Sequence, residues 1–197
     1  MASEWHLAIL GGEMNQNLLI AVVIVSFVVV AALAFLVVRM RRSQRLRSRF
    51  GPEYDRVVSE AGGVRRGEGV LEFREKRREQ LAIHPLPASD KAMYKAKWDE
   101  VQSRFVDDPR QSVGVADRLV TEVMRARGYP MSDFDQRAAD ISVDHPVVVE
   151  NYRAAHTIAL RHDRGQADTE DLRRAMVHYR ALFEELLGDY HVSKKGA

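Results

Sequence analysis

The segment densest in groups suited to acid–base chemistry is residues 137–146 (RAADISVDHP), which hold Asp140, Asp144 and His145. A carboxylate and an imidazole this close are ingredients of acid–base chemistry, because imidazole changes charge near neutral pH. His156, His162 and His178 supply further nitrogen ligands for a metal. Their spacing argues against that use. His156 and His162 are six residues apart, so a helix turns them to different sides, and no His-Glu-x-x-His occurs anywhere. The chain has no cysteine, which excludes disulfides, thiolate metal sites, iron–sulfur clusters and a cysteine nucleophile. No phosphate-binding glycine loop, Gly-x-Ser-x-Gly or kinase set is present, and the glycines at 62, 63, 67 and 69 do not follow a strand. No catalytic, metal or cofactor residue is therefore assigned, and no cofactor is expected.

The same cluster also has a plain structural reading. Asp144 and His145 precede Pro146, and a helix start needs side-chain acceptors for its free N–H groups, with proline tolerated in the first turn. On that reading Asp144 and His145 open a helix running to about His162. Trp98, Phe105, Tyr129, Tyr152 and Tyr179 fall at helical spacings that suit a core, or line a groove for a ligand or partner. Trp98 sits between Lys97 and Asp99, which leaves its rim at a surface. Trp98, Tyr129, Asp144 and His145 form the candidate partner or ligand surface.

The elements that hold these residues begin with a tether. Residues 18–38 (LLIAVVIVSFVVVAALAFLVV) carry no charge, and Ser26 is their only polar side chain. As a helix these 21 residues rise roughly 32 Å, the thickness of a bilayer's hydrocarbon core. A cleaved signal peptide would have a basic start and a shorter apolar run. Here the first 17 residues contain no Lys or Arg, so an uncleaved transmembrane anchor is expected. Six arginines follow it within residues 39–49: Arg39, Arg41, Arg42, Arg45, Arg47 and Arg49, with no acid among them. Basic flanks stay in the cytoplasm. The expected topology puts residues 1–17 outside as a tail and the C-terminal part in the cytoplasm. The six arginines are expected to contact anionic lipid headgroups.

Those arginines also explain the overall charge. The chain has 30 basic and 28 acidic residues, but residues 50–197 alone hold 24 basic against 26 acidic. The basic character belongs to one short patch, which argues against nucleic acid as a partner.

Beyond the anchor the expected fold is all-α, since no alternating strand pattern appears. Residues 39–87 read as an arginine-rich, charged helical spacer, with a helix at 70–81 dense in mixed charge and solvent-exposed, and with glycines 62–69 as a break. Residues 88–188 read as a small cytoplasmic domain of about five helices that melts cooperatively on its own, followed by a flexible tail at 189–197. Ser89, Asp108, Ser132 and Asp168 or Thr169 are expected caps, and Gly128 and Gly188 expected stops.

The segments FGPEYDRVV (50–58), WDEVQSRFVDDP (98–109), RGYP (127–130), RAADISVDHPVVVENYRAAH (137–156) and AMVHYRALFEELL (175–187) together resemble a group of uncharacterised bacterial single-pass membrane proteins. The resemblance covers anchor, spacer and helical part. It implies a bacterial inner membrane and carries no established reaction, cofactor or partner. The function expected from these readings is a membrane-anchored helical module that docks an unidentified protein partner. The alternative is a membrane-bound enzyme or small-ligand receptor using Asp140, Asp144 and His145.

Overall fold

The computed structural model describes residues 5–188, which are helical or in connecting turns, with no strand among them. The expected tail at 189–197 and residues 1–4 of the N-terminal one lie outside the described residues. Helix α1 spans Trp5–Phe50, so the backbone is already helical ahead of the apolar run and stays helical through the arginines. The side chains of residues 18–38 are exposed throughout. This helix is long and apolar enough to cross a membrane.

Gly51 ends α1. Its φ of 49° suits glycine, its N–H donates to the Arg47 carbonyl at 2.9 Å, and Pro52 opens the next helix. The following elements are α2 (Pro52–Glu60), α3 (Val64–Glu79), α4 (Ala88–Arg104), α5 (Pro109–Ala126), α6 (Phe134–Asp144), α7 (Val149–Asp163) and α8 (Thr169–Leu187). The chain divides into two compact units at Arg45/Leu46. The second unit therefore takes in the last turn of α1.

Within that second unit the larger core joins α4, α5, α7 and α8. Leu172, Met176, Tyr179, Phe183 and Leu186 recur every three or four residues along α8 and are all buried, as the periodicity predicts. They pack with Leu119, Val120 and Val123 of α5 and with Tyr152 and Ala155 of α7. A smaller core gathers Leu46 and Phe50 of α1, Tyr54 and Val57 of α2, Leu71 of α3 and Val143 of α6.

That second cluster corrects the reading of the 70–81 segment as a solvent-exposed helix. Helix α3 starts at Val64 and buries Gly67, Glu68, Leu71 and Glu75. Only Gly62 and Gly63 break the chain, with φ of 71° and 149°. Gly67 lies inside α3, where an added Cβ would come within 2.7 Å of the Val58 Cα. Glycine there lets α2 and α3 approach backbone to backbone.

The caps follow the sequence in part. Asp108 accepts from the Gln111 N–H at 3.0 Å, and Asp168 and Asp171 form a reciprocal capping box. Gly128 and Gly188 take positive φ at the helix ends. Ser89 caps nothing, since Pro87 holds that position and the Ser89 hydroxyl donates to Asp90. Asp133, not Ser132, caps α6, accepting from the Gln136 N–H at 2.8 Å.

Candidate functional site

Helix α6 carries the polar cluster that the sequence singled out, and its partners come from α3. Arg77 Nε donates to Asp140 Oδ1 at 2.8 Å, and Gln136 Nε2 donates to the same oxygen at 2.8 Å. Arg74 Nη1 reaches the Ser142 hydroxyl at 3.1 Å. Arg78 pairs with Asp144, whose Oδ2 also accepts from the Tyr129 hydroxyl at 3.3 Å. Both Asp140 and Ser142 are buried. One side of the charge-dense stretch of α3 thus faces α6, as a ladder of Arg74, Arg77 and Arg78.

Asp144 and His145 do not open a helix. Asp144 is the last residue of α6 and His145 its C-terminal cap, with φ −131° and ψ 56°. The cause is Pro146, whose ring disfavours the helical conformation at the residue before it. The chain turns through 146–148, and α7 starts at Val149. The His145 carbonyl then accepts the Val148 and Val149 N–H groups at 3.2 Å each.

The His145 ring is buried and bonded at both nitrogens. Nδ1 lies 2.8 Å from Glu185 Oε1, and Nε2 lies 3.3 Å from Arg127 Nη1. These partners define one tautomer, with Nδ1–H donating to the carboxylate and Nε2 accepting from the guanidinium. A second ring proton would place donor against donor at Arg127. Burial, with the Arg127 charge, lowers the His145 pKa, and the Glu185 bond only partly offsets this. The folded state therefore binds its proton less readily than the unfolded chain, whose histidines titrate near about 6.5. Stability is full above that value and falls as pH drops through it towards the lower folded pKa. We expect melting temperatures of the full chain in detergent to decline from pH 7 to 5, and the decline to shrink in His145→Asn, whose amide retains a donor to Glu185. An unchanged pH profile in that variant would remove His145 as the cause.

The most buried charge is one that sequence reasoning missed. Glu53 has no exposed surface, and its two oxygens accept from three arginines. Arg56 donates at 2.8 and 2.9 Å, Arg74 at 2.7 Å, and Arg153 at 3.1 and 3.3 Å. Burial raises the Glu53 pKa, but the Arg56 bonds, the Arg153 charge and the Arg74 bond outweigh it and hold the carboxyl below its ordinary value. The local signal was Glu53 in the first turn of a Pro-initiated helix with Arg56 three residues on. The distant arginines had no signal.

His156 and His178 serve separate contacts, and the buried His162 Nδ1 has no hydrogen-bond partner. His156 stacks on Phe134 with centroids 3.7 Å apart, and His178 Nδ1 lies 2.8 Å from the Asn151 side-chain oxygen. Among the described residues no three His, Cys, Asp or Glu side chains lie close enough to hold a metal ion.

Trp98 is only 5% exposed, so the rim expected at a surface is covered. Of its companions in the candidate surface, Tyr129 and His145 are buried, and Asp144 is tied to Arg78 and Tyr129. Trp98 of α4 stacks on Phe183 of α8, with centroids 4.7 Å apart and planes at 21°. Its indole Nε1 is buried and has no hydrogen-bond partner. An unsatisfied buried donor of this kind costs about 1–3 kcal/mol. Two neighbouring clefts of about 170 and 260 Å³ share Trp98, Gln102 and Arg180 in their walls. Met176 and Val177 give one of them an apolar lining, and Val177 is 56% exposed. A third cleft of about 470 Å³ lies between α4 and α5, where Lys97 faces Glu122 at 3.3 Å. Asp140, Asp144 and His145 line none of these three.

The six arginines after the apolar run are all exposed. Arg47 lies 3.6 Å from Asp55 and over the Tyr54 ring, and Arg49 lies 3.2 Å from Glu75. No family model, curated protein or solved structure matches this chain.

Proposed function

We propose that the chain is a membrane-anchored helical interaction module of a bacterial inner membrane. Residues 18–38 span the bilayer with the N-terminus outside, and the unit from Leu46 onward lies in the cytoplasm. The arginines between 39 and 49 rest on anionic headgroups, and the open groove between α4 and α8 receives a helix of a protein partner. The observation that carries this reading is the partly apolar groove itself, lined by Met176 and by Val177, which is 56% exposed. A partner helix laid in the groove would cover Val177. Orientation rests on six arginines after the span and none before it. The alternative of an enzyme or ligand site at Asp140, Asp144 and His145 has less support. Each of those groups is engaged within the protein, by Arg77, by Arg78 and by Glu185.

Photo-crosslinking in intact cells tests this. A benzophenone side chain at Gln102, which borders both clefts, is expected to yield a discrete adduct of higher mass. The same group at Thr157, exposed on α7, should yield none. Val177→Asp places a charge in the apolar lining and should weaken the adduct. Equal labelling from 102 and 157, or none from 102, would remove the groove as the docking surface. A C-terminal reporter active only outside the cytoplasm would reverse the orientation.

A further inference from the structure

Helix α3 presents to solvent a face that its role in the fold does not use. Projected at 100° per residue, its four acids, Glu68, Glu72, Glu75 and Glu79, fall within an arc of about 60°. The adjoining arc of about 140°, from Arg65 round to Val70, contains no acid. Phe73 lies near its centre and is 66% exposed, and Val70 at its edge is 40% exposed. Arg65, Arg66, Lys76 and Arg77 surround them, and the first three are exposed while Arg77 bonds Asp140. Among the described residues after α1, Phe73 is the only exposed aromatic.

Single exposed apolar residues are ordinary. An exposed Phe and Val on one helix face, ringed by cations and cleared of acids, is the composition that lies at a membrane surface. Apolar side chains enter the headgroup–acyl boundary there, and long basic side chains keep their charge among the phosphates. The chain itself supplies the proximity. Leu46 and Phe50, which pack in one cluster with Leu71 of α3, follow the last residue of the apolar run by only eight and twelve positions. A surface too weak to bind free vesicles binds when tethered this close, because effective concentration replaces affinity.

We propose that this face of α3 is a second membrane contact, in which Phe73 and Val70 enter the interface of an anionic bilayer and Arg65, Arg66 and Lys76 hold lipid phosphates. The inference rests on the anchored reading of residues 18–38. The anchor fixes where the unit is, and α3 fixes which way it faces.

The absence of cysteine makes the test direct. Full-length protein carrying one nitroxide-labelled cysteine, Phe73→Cys, Val28→Cys or Val177→Cys, is reconstituted into vesicles of phosphatidylcholine with or without about a third phosphatidylglycerol. Collision with oxygen, which concentrates in lipid, is compared with collision with a water-soluble nickel chelate. The label at 28 should favour oxygen strongly and the label at 177 nickel. The label at 73 should favour oxygen several-fold more than 177 does in anionic vesicles. That preference should fall in pure phosphatidylcholine, and also when Arg65→Gln, Arg66→Gln and Lys76→Gln are combined. A label at 73 as open to nickel as that at 177, with 28 still deep, would overturn the α3 contact alone. Low collision with both reagents at 73 would mean a protein covers this face and would overturn it too. A water-exposed label at 28 would overturn the anchor and this inference together.

Discussion

Glu53→Ala is expected to cost about 3–5 kcal/mol of stability, the range seen when one partner of a buried ion cluster is removed. The carboxylate has no exposed surface, and the arginine side chains it leaves behind keep only 25% (Arg56), 13% (Arg74) and 19% (Arg153) of theirs. Three guanidinium groups would then face one another across an emptied site with little water, Arg56 keeping only Glu60 and Glu150 and Arg74 only the Ser142 hydroxyl. Glu53→Gln preserves the volume and one acceptor oxygen and should cost less, but still more than a surface substitution. Chemical denaturation of the full chain in detergent, followed by circular dichroism, measures both. The same residue predicts an acid limit separate from that of His145. Its folded pKa is depressed, so its contribution is present above the unfolded glutamate value of about 4.3 and is lost as pH falls through the folded one. In Glu53→Gln that limb should flatten. A loss below about 1 kcal/mol in Glu53→Ala would mean that the three arginines find other partners.

A chain beginning at Ala88 is expected to lose on the order of 5 kcal/mol or more, comparable to the whole stability of a small domain. Such a chain keeps α4 to α8 and their core. It also strips Arg74, Arg77 and Arg78 from Ser142, Asp140 and Asp144, and Glu53 from Arg153. Val143 loses the five residues of its cluster, all of which precede residue 88. The damage concentrates on α6, where the apolar surface of Val143 that Leu46, Phe50, Tyr54, Val57 and Leu71 cover would open to water. Hydrogen exchange should find α6 open while α5, α7 and α8 stay protected, and thermal melting should lose its single sharp transition. Cooperative melting with α6 protected would show that residues 88–188 carry their own stability.

The sequence leads to the opposite expectation for that segment, and the reason is physical. The α8 face, the Asp108 and Asp168 caps and the stops at Gly128 and Gly188 all act over a few residues. Propensity and periodicity therefore expose them. Helix α3 buries Glu68 and Glu75 and turns three arginines inward. A helix stabilised by ion pairs to a distant element looks, by composition, like one bathed in water. His145 was visible as a functional group, but Glu185, its partner, lies 40 residues away. A proline two residues after Asp144 suggests a helix start, whereas here that proline makes the previous helix stop. The Trp98 groove was half legible. Flanking charges suggested an exposed rim, but the unsatisfied Nε1 depends on how α4 meets α8.

The order in which the chain is made gives the Glu53 cluster a history. Arg56 follows Glu53 by three residues and Arg74 by 21, but Arg153 follows it by 100. At roughly 5–20 residues per second, Arg153 leaves the ribosome roughly 5–20 s after the carboxylate it completes. For that interval α2 and α3 exist beside the ribosome with Ser142, Asp140 and Asp144 not yet made or only just emerging. The α3 arginines then have only local acids to pair with. The N-terminal part of the unit is synthesised first and closed last.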